Sequence, residues 1–471
     1  MIKYIHIISI KTIGLLTFLF VIGACSDDIM DEIGKDPNNP TEVTSRLLIS
    51  QTTLTTAFET NGNDLAWYSS VFVEHTVGVH GQLETGDKRT GINSSIGNNS
   101  WNSIYAGTLQ DLHDVIGMCS EGGPEEGNNA ALGIAKILTA FNFSVACDIW
   151  GEVPFTKTLQ GASNRTPAFD SEETVYTGIL ALLDEAITNL GTESVGNPGE
   201  FDFYYGGDVD AWIAAAYALK ARYLNRLSNV RDNDSEVLAA IANAFTSSAD
   251  NMVFASYTDD ATGQNPWFQE EVDRGHHAVS QTLDDILVSL NDPRRLLFFN
   301  TIDDGTINPA PPGTAETDQS GDIYSRINGN YLVSTSPQPI ITYDEVKFIE
   351  AEAYFRSNNK TAAYDAYLEG ISEAMMREGL DSTAIDPYLS QVSVAPGADN
   401  LTMTHIITQK YIAFWLFNPI EAYNDYRRTR IPTLKNTVGA APERFPYPSD
   451  ESATNPNVPS KGSTAKVWWA K

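Results

Sequence analysis

Cysteine is scarce in this chain: Cys25, Cys119 and Cys147 are the only three among 471 residues. So low a count excludes a scaffold stapled by disulfides. Cys119 and Cys147 lie among Ile116, Met118, Val145 and Ala146, a setting that suits buried free thiols better than a bridge. Basic residues are also few, with 30 Lys and Arg against 61 Asp and Glu and a formal net charge of −31. Binding phosphates needs a basic surface, so nucleic acid is excluded as a partner. No polybasic stripe is present to hold anionic lipid. The acid excess is spread along the chain and keeps the surface solvated. Past the first 24 residues no apolar run reaches the roughly 20 residues that a membrane-spanning helix needs. Nucleophile elbows, phosphate-cradling glycine loops and His-Glu-x-x-His are all missing. Acid pairs such as Asp259-Asp260 and Asp284-Asp285 are expected among 61 acids. They do not set the carboxyl separation that glycoside hydrolysis requires.

What is present begins at the N-terminus. Lys3 and Lys11 precede a 12-residue apolar run from Ile13 to Ala24, and Cys25 follows at once. A basic start, a short hydrophobic stretch and small residues before the break read as a secretory signal over residues 1–24. Ile22-Gly23-Ala24-Cys25 resembles a bacterial lipobox, in which the cysteine is lipidated and becomes the new N-terminus. The expected product touches the membrane only through its lipid anchor. Ser26, Asp27 and Asp28 resemble the acidic tag that routes some lipoproteins to the cell surface. Residues 25–44 read as a tether, because Asp36-Pro37-Asn38-Asn39-Pro40 blocks regular structure.

Beyond the tether, helical periodicity dominates residues 45–471. Ile134, Leu138, Phe141 and Val145 form one apolar stripe; Trp212, Ala216, Leu219, Tyr223 and Leu227 form another behind Asp208, a predicted N-cap. Similar patterns recur at 45–60, 64–78, 101–118, 172–190, 235–248, 280–290, 341–357, 361–377 and 404–418. Period-two alternation is short and rare, so the fold is expected to be mostly α. Ala351, Tyr354, Ala363, Tyr367 and Gly370 have the spacing of a tetratricopeptide helix pair. Glu350 departs from that pattern by standing where an aliphatic residue is usual. The pairs 129–147 with 172–190, and 209–229 with 235–248, are candidate relatives.

Long irregular stretches interrupt the helices at 79–100, 250–279 and 301–340. Loops of this length on a helical scaffold are where binding surfaces are built. Aromatic rings suit the C–H faces of sugars, and hydroxyls need Asp, Asn and Arg nearby. Trp267 and Phe268, beside Gln269, Glu270, Glu271, Asp273 and Arg274, supply that mixture. Tyr324 with Arg326, and Tyr331 with Asn328 and Asn330, supply it again. On this reading Trp267→Ala weakens ligand capture and leaves thermal unfolding nearly unchanged. Trp67, Trp101, Trp468 and Trp469 read as packing residues. No metal is expected at Glu270, Glu271, Asp273, His276 and His277, because adjacent histidines point apart. No cofactor is expected, although a structural calcium in the loops remains open.

Several motifs occur together in order: Asp148-Ile149-Trp150-Gly151-Glu152-Val153-Pro154-Phe155, Gln409-Lys410-Tyr411, Glu421-Ala422-Tyr423-Asn424-Asp425-Tyr426-Arg427-Arg428, Arg444-Phe445-Pro446-Tyr447-Pro448 and Val467-Trp468-Trp469. With the lipobox and Asp36-Pro37-Asn38-Asn39-Pro40-Thr41, they resemble the SusD/RagB family of nutrient-binding outer-membrane lipoproteins, SusD-like subgroup. The resemblance implies tetratricopeptide-like helix pairs in a right-handed superhelical scaffold with large loop insertions. It implies one domain over 45–471, with its ligand lobe near 79–100 and 250–340. It also implies a cell-surface protein that captures an oligosaccharide or peptide without chemistry, as the lid of a SusC-like TonB-dependent transporter. The family's early ligand loop would fall at about His80 to Arg89. Its motifs read as structural, with Arg427 and Arg428 pairing acids such as Glu421 or Asp425. The other readings are a protein-binding tetratricopeptide-type scaffold and a surface glycosidase.

Overall fold

The computed structural model describes residues 43–317 and 323–471. The signal, Cys25, the acidic tag and the Asp36–Thr41 motif lie outside the described residues. Residues Ser45–Lys471 form one compact, mostly helical unit. Its principal helices are α1 (Ser45–Thr55), α2 (Asp64–Phe72), α3 (Gly81–Asp87), α4 (Leu109–Cys119), α5 (Asn129–Trp150), α6 (Glu172–Leu190) and α7 (Val209–Arg226). After these come α8 (Asp234–Ile241), α9 (Pro266–Asp273), α10 (Gln281–Ser289), α11 (Tyr343–Arg356), α12 (Lys360–Arg377), α13 (Met403–Ala413) and α14 (Pro419–Thr429).

Polar caps start the long helices. Asn128 accepts the Ala131 N–H ahead of α5, and Ser171 accepts the Thr174 N–H ahead of α6. Asp208 accepts the Asp210 and Ala211 N–H groups, as its position in the sequence predicts. The candidate pairs are packed pairs: α5 lies on α6, α7 on α8, and α11 on α12. Small residues let them approach. A Cβ on Gly133 would meet Leu190 Cγ at 2.5 Å, and one on Gly370 would meet the Phe348 ring at 3.0 Å. Ala351, Ala363 and Tyr367 are buried between α11 and α12, whereas Glu350 stays at the margin and pairs with Lys347 at 2.7 Å.

One reading of hydropathy needs correcting. Helix α5 is long and apolar enough to cross a membrane, yet it is buried on nearly every side by neighbouring helices. It is apolar all round because it is the central core helix. Cys119 and Cys147 are both buried free thiols.

Charged side chains join the helices at depth. Arg226 of α7 pairs with Asp148 of α5 at 2.5 Å and with Glu421 of α14. Arg222 pairs with Glu345 at 2.5 Å, and Lys410 reaches Glu352 at 3.1 Å and Asp425 at 2.9 Å. Arg428 closes the seam on Glu352 and Asp425 at 2.5 and 2.8 Å. Burial works to raise the Asp425 carboxyl, but Lys410 and Arg428 outweigh it and hold it well below the usual range. Arg428 thus pairs with Asp425, as expected. Arg427 does not use an acid: it donates to the Asp148 and Glu443 carbonyls at 2.7 and 3.0 Å. Its guanidinium stacks 4.0 Å from the Tyr423 ring centroid and 4.8 Å from that of Trp469. Trp469 is fully buried there and docks the C-terminal segment.

Two short antiparallel ribbons position the loops. β1 (Thr76–Gly78) pairs with β3 (His277–Val279), Gly78 opposite His277; β2 (Met252–Phe254) pairs with β4 (Gln338–Ile341). A Cβ on Gly78 would sit 2.0 Å from the Leu83 carbonyl oxygen, so only glycine lets α3 fold back on the ribbon. Helix α2 packs on α14, and the Tyr411 hydroxyl donates to the Val73 and Glu74 carbonyls at 3.1 and 3.0 Å.

Candidate ligand-binding cleft

The β1–β3 ribbon brings the loop after α2 beside the helix before β3. Two adjoining cavities open between them, of about 320 and 250 Å³, sharing Asp64, Asn99 and Arg274. Together they reach the lower end of the size range of small-molecule sites.

The walls come from three segments. Asp64 stands in the first turn of α2, where Asn63 accepts its N–H at 2.9 Å. Tyr68 lies one turn further along the same face. Gly86 of α3 makes room for it, since a Cβ there would lie 3.2 Å from the tyrosine ring. The second wall presents exposed Gln82, Asn93, Ser95 and Asn99. Asn93 accepts the Ser95 N–H at 2.9 Å, and the Asn99 amide reaches Asp64 Oδ2 at 3.5 Å. The third wall is α9, started by Asn265, whose side chain accepts the Trp267 N–H at 2.9 Å. Gln269, Glu270 and Asp273 face the cleft from it, and Arg274 follows.

Electrostatics here differ from ordinary surface. Burial raises the Asp64 carboxyl, while the Asn99 amide and Arg274 oppose the shift. Burial also raises the Tyr68 phenol. Glu270 is pushed up to about 8 by burial and by Glu271, which burial itself pushes up to about 7. The Glu270 carboxyl stands 3.9 Å from His276 Nδ1 and 3.7 Å from His277 Nε2. Burial pushes His277 down to about 3, so this contact is not an ion pair at neutral pH. Among the described residues no group of three or more His, Cys, Asp or Glu is arranged to hold a metal. The cleft therefore offers amides, hydroxyls, carboxyls and one guanidinium, a set that hydrogen-bonds a polyhydroxylated ligand.

The predicted site residues are scattered. Trp267 is fully buried, its ring 5.1 Å from that of His277, so it has no free face for a sugar. This corrects its expected role: the β1–β3 ribbon covers it, and its neighbours on α9 carry the cleft. Phe268 is half-buried against the main core and does not line the cleft. Tyr324 is buried with Val77, Val79 and Ala278, and its hydroxyl accepts the Glu316 N–H at 3.0 Å. Tyr331 lines a separate cavity. His80 does not line the cleft, and its ring is 5.2 Å from that of His276. Arg89 pairs with Glu74 at 3.1 Å and donates to the Gly439 carbonyl at 2.5 Å, bracing the loop rather than facing the cleft. Residues of the 79–100 segment and of the acidic end of α9 line the same adjoining cavities. Asp64 and Tyr68 escape the sequence reading because a helical stripe reads as core, although the Asn- and Ser-rich 93–99 stretch is a visible signal.

The sequence matches, over residues 37–448, the model of a family described as starch-binding and associating with the outer membrane. The chain belongs to the SusD-like family. A SusD/RagB family protein from Bacteroides thetaiotaomicron is 31% identical and superposes with a TM-score of 0.83, covering 91% of this chain and 99% of that one. A chitin-binding SusD homologue from Flavobacterium johnsoniae, 20% identical, has the same fold, with a TM-score of 0.77 over 90% of this chain and 98% of its own. No match is found among the curated proteins. In this chain the long helices form the scaffold and irregular segments fill the space between them.

Proposed function

We propose that this SusD-like protein is a non-catalytic nutrient receptor that takes an oligosaccharide into the cleft between α2, the 79–100 loop and α9. The observation that carries the reading is the convergence of Asp64, Gln82, Asn93, Asn99 and Arg274 on one cavity in a chain of this family. Cys25 anchors it to the outer membrane, and a SusC-like TonB-dependent transporter receives what it captures. Carbohydrate rather than peptide is favoured because the walls are rich in amide and hydroxyl groups, which match ring hydroxyls one for one. Calorimetric titration of residues 26–471 with plant, host and microbial oligosaccharides tests the reading. Heats that saturate at fixed stoichiometry, with sugar recovered intact, are expected. Heat that continues at constant substrate identifies an enzyme and overturns it.

A further inference from the structure

A third cavity, of about 320 Å³, shares no lining residue with the cleft. It opens where β2, the 330–339 segment and the end of α12 meet. Its apolar wall is a pair of rings, Tyr331 and Phe417, with centroids 5.8 Å apart and planes inclined at 36°. Phe298 buttresses Tyr331 edge-on at 5.1 Å, so the tyrosine ring is held from behind. Pro337 and Pro339 also line the cavity. Rigid rings and prolines give a preformed surface with little side-chain entropy to lose on binding.

Polar groups stand around this apolar wall. The Asn251 Oδ1 accepts the Tyr343 N–H at 2.6 Å, and the residue lines the cavity. Asn330 is exposed at the rim. The one cation of the lining is compensated by two acids: Arg377 pairs with Glu378 at 2.9 Å and with Asp344 at 3.2 Å. Arg377 also donates to the Ala413 carbonyl at 2.8 Å, so its donors are spent within the protein. A site with compensated charge, apolar walls and amide groups at its mouth selects an uncharged ligand with both C–H faces and hydroxyls.

We infer that the Tyr331–Phe417 cavity is a second carbohydrate site, taking one or two rings of an uncharged sugar chain independently of the cleft. It rests on the general reading of this protein as a glycan binder, and on none of the cleft residues. Two sites on one lipid-anchored chain would raise retention of a long polymer by avidity, because the second contact is intramolecular.

The test is titration of residues 26–471 with maltotriose, cellotriose and triacetylchitotriose at up to millimolar concentration. Wild type is compared with Tyr331→Ala, Tyr331→Phe and the cleft double variant Gln82→Ala/Asn99→Ala. The expected result is a binding component that falls at least tenfold in Tyr331→Ala and persists in the cleft double variant. Tyr331→Phe keeps the ring and the packing, and is expected to retain most of that component. It thereby separates ligand stacking from a folding defect. Binding removed by the cleft variant and untouched by Tyr331→Ala overturns the second site and leaves the cleft intact. Absence of any Tyr331-dependent binding to all three sugars also overturns it.

Discussion

The seam between the helices and the cleft between the loops are both rich in carboxylates, yet they treat charge in opposite ways. In the seam every carboxylate meets a cation across a helix boundary: Asp148 and Glu421 meet Arg226, Glu345 meets Arg222, and Glu352 and Asp425 meet Lys410 and Arg428. In the cleft, Asp64 and Glu270 are sheltered without a full partner; burial raises both, as it raises Asp148 and Glu345 in the seam, but in the seam the directly paired Arg226 and Arg222 oppose it. Paired charges fix helix to helix. Half-satisfied ones leave hydrogen-bonding capacity unspent. The same residue types thus tie helices together in one place and line the proposed binding cleft in the other, and partner geometry is what tells them apart.

Breaking the seam should have the largest effect. Arg226→Met leaves Asp148 and Glu421 buried without their cation, and a cost of about 3–5 kcal/mol is expected, read by urea unfolding. A loss below about 1 kcal/mol would mean that water reaches the seam. Trp267→Leu, beneath the cleft, should cost about 2 kcal/mol through the volume lost from the core. It should leave the affinity of the folded protein for sugar nearly unchanged, the reverse of what an exposed stacking residue would do. Gln82→Ala/Asn99→Ala removes two exposed amides. A tenfold loss of oligosaccharide affinity, about 1.4 kcal/mol, is expected with an unchanged melting temperature. A lower melting temperature would place these amides with the seam instead.

The smallest effect sharpens the contrast by pH. Glu270 keeps its proton in the fold to about 8, while an unfolded glutamate loses it near 4.5. Between those values the native state binds more protons, so Glu270 lowers stability as pH rises. Glu270→Gln does not titrate, and its stability relative to wild type should grow between pH 5 and pH 8, by on the order of 1 kcal/mol. Parallel pH curves for the two proteins would show that Glu270 is ionised and solvated.

The scaffold was largely legible in the sequence because helix pairing leaves local marks. Asp208 announces its cap, and Ala351, Ala363, Tyr367 and Gly370 announce a close helix pair. The region of the proposed cleft was marked by the Gly-, Asn- and Ser-rich segment at 79–100, although part of it, α3, packs on the β1 strand. Its members were not legible. Trp267 and Arg274 are near neighbours in sequence with the same loop-like surroundings, yet one is entombed and the other exposed. What separates them is the pairing of Gly78 with His277, a contact across some two hundred residues that no local pattern encodes. Arg427 misled for a different reason: its partners are the ring faces of Tyr423, one turn before it, and of Trp469 rather than a carboxylate.

The bond from Tyr411 to the Val73 carbonyl spans 338 residues. Helix α2, an early product of synthesis, has its packing partner α14 near the other end of the sequence. A growing or threading polypeptide therefore displays Phe72 and Tyr68 to solvent until residues Pro419–Thr429 arrive. Closure of such distant contacts is slow and leaves sticky surface exposed meanwhile. A holding chaperone is expected to bind this segment in the nascent chain and to release it only once the sequence around Tyr411 and α14 is available.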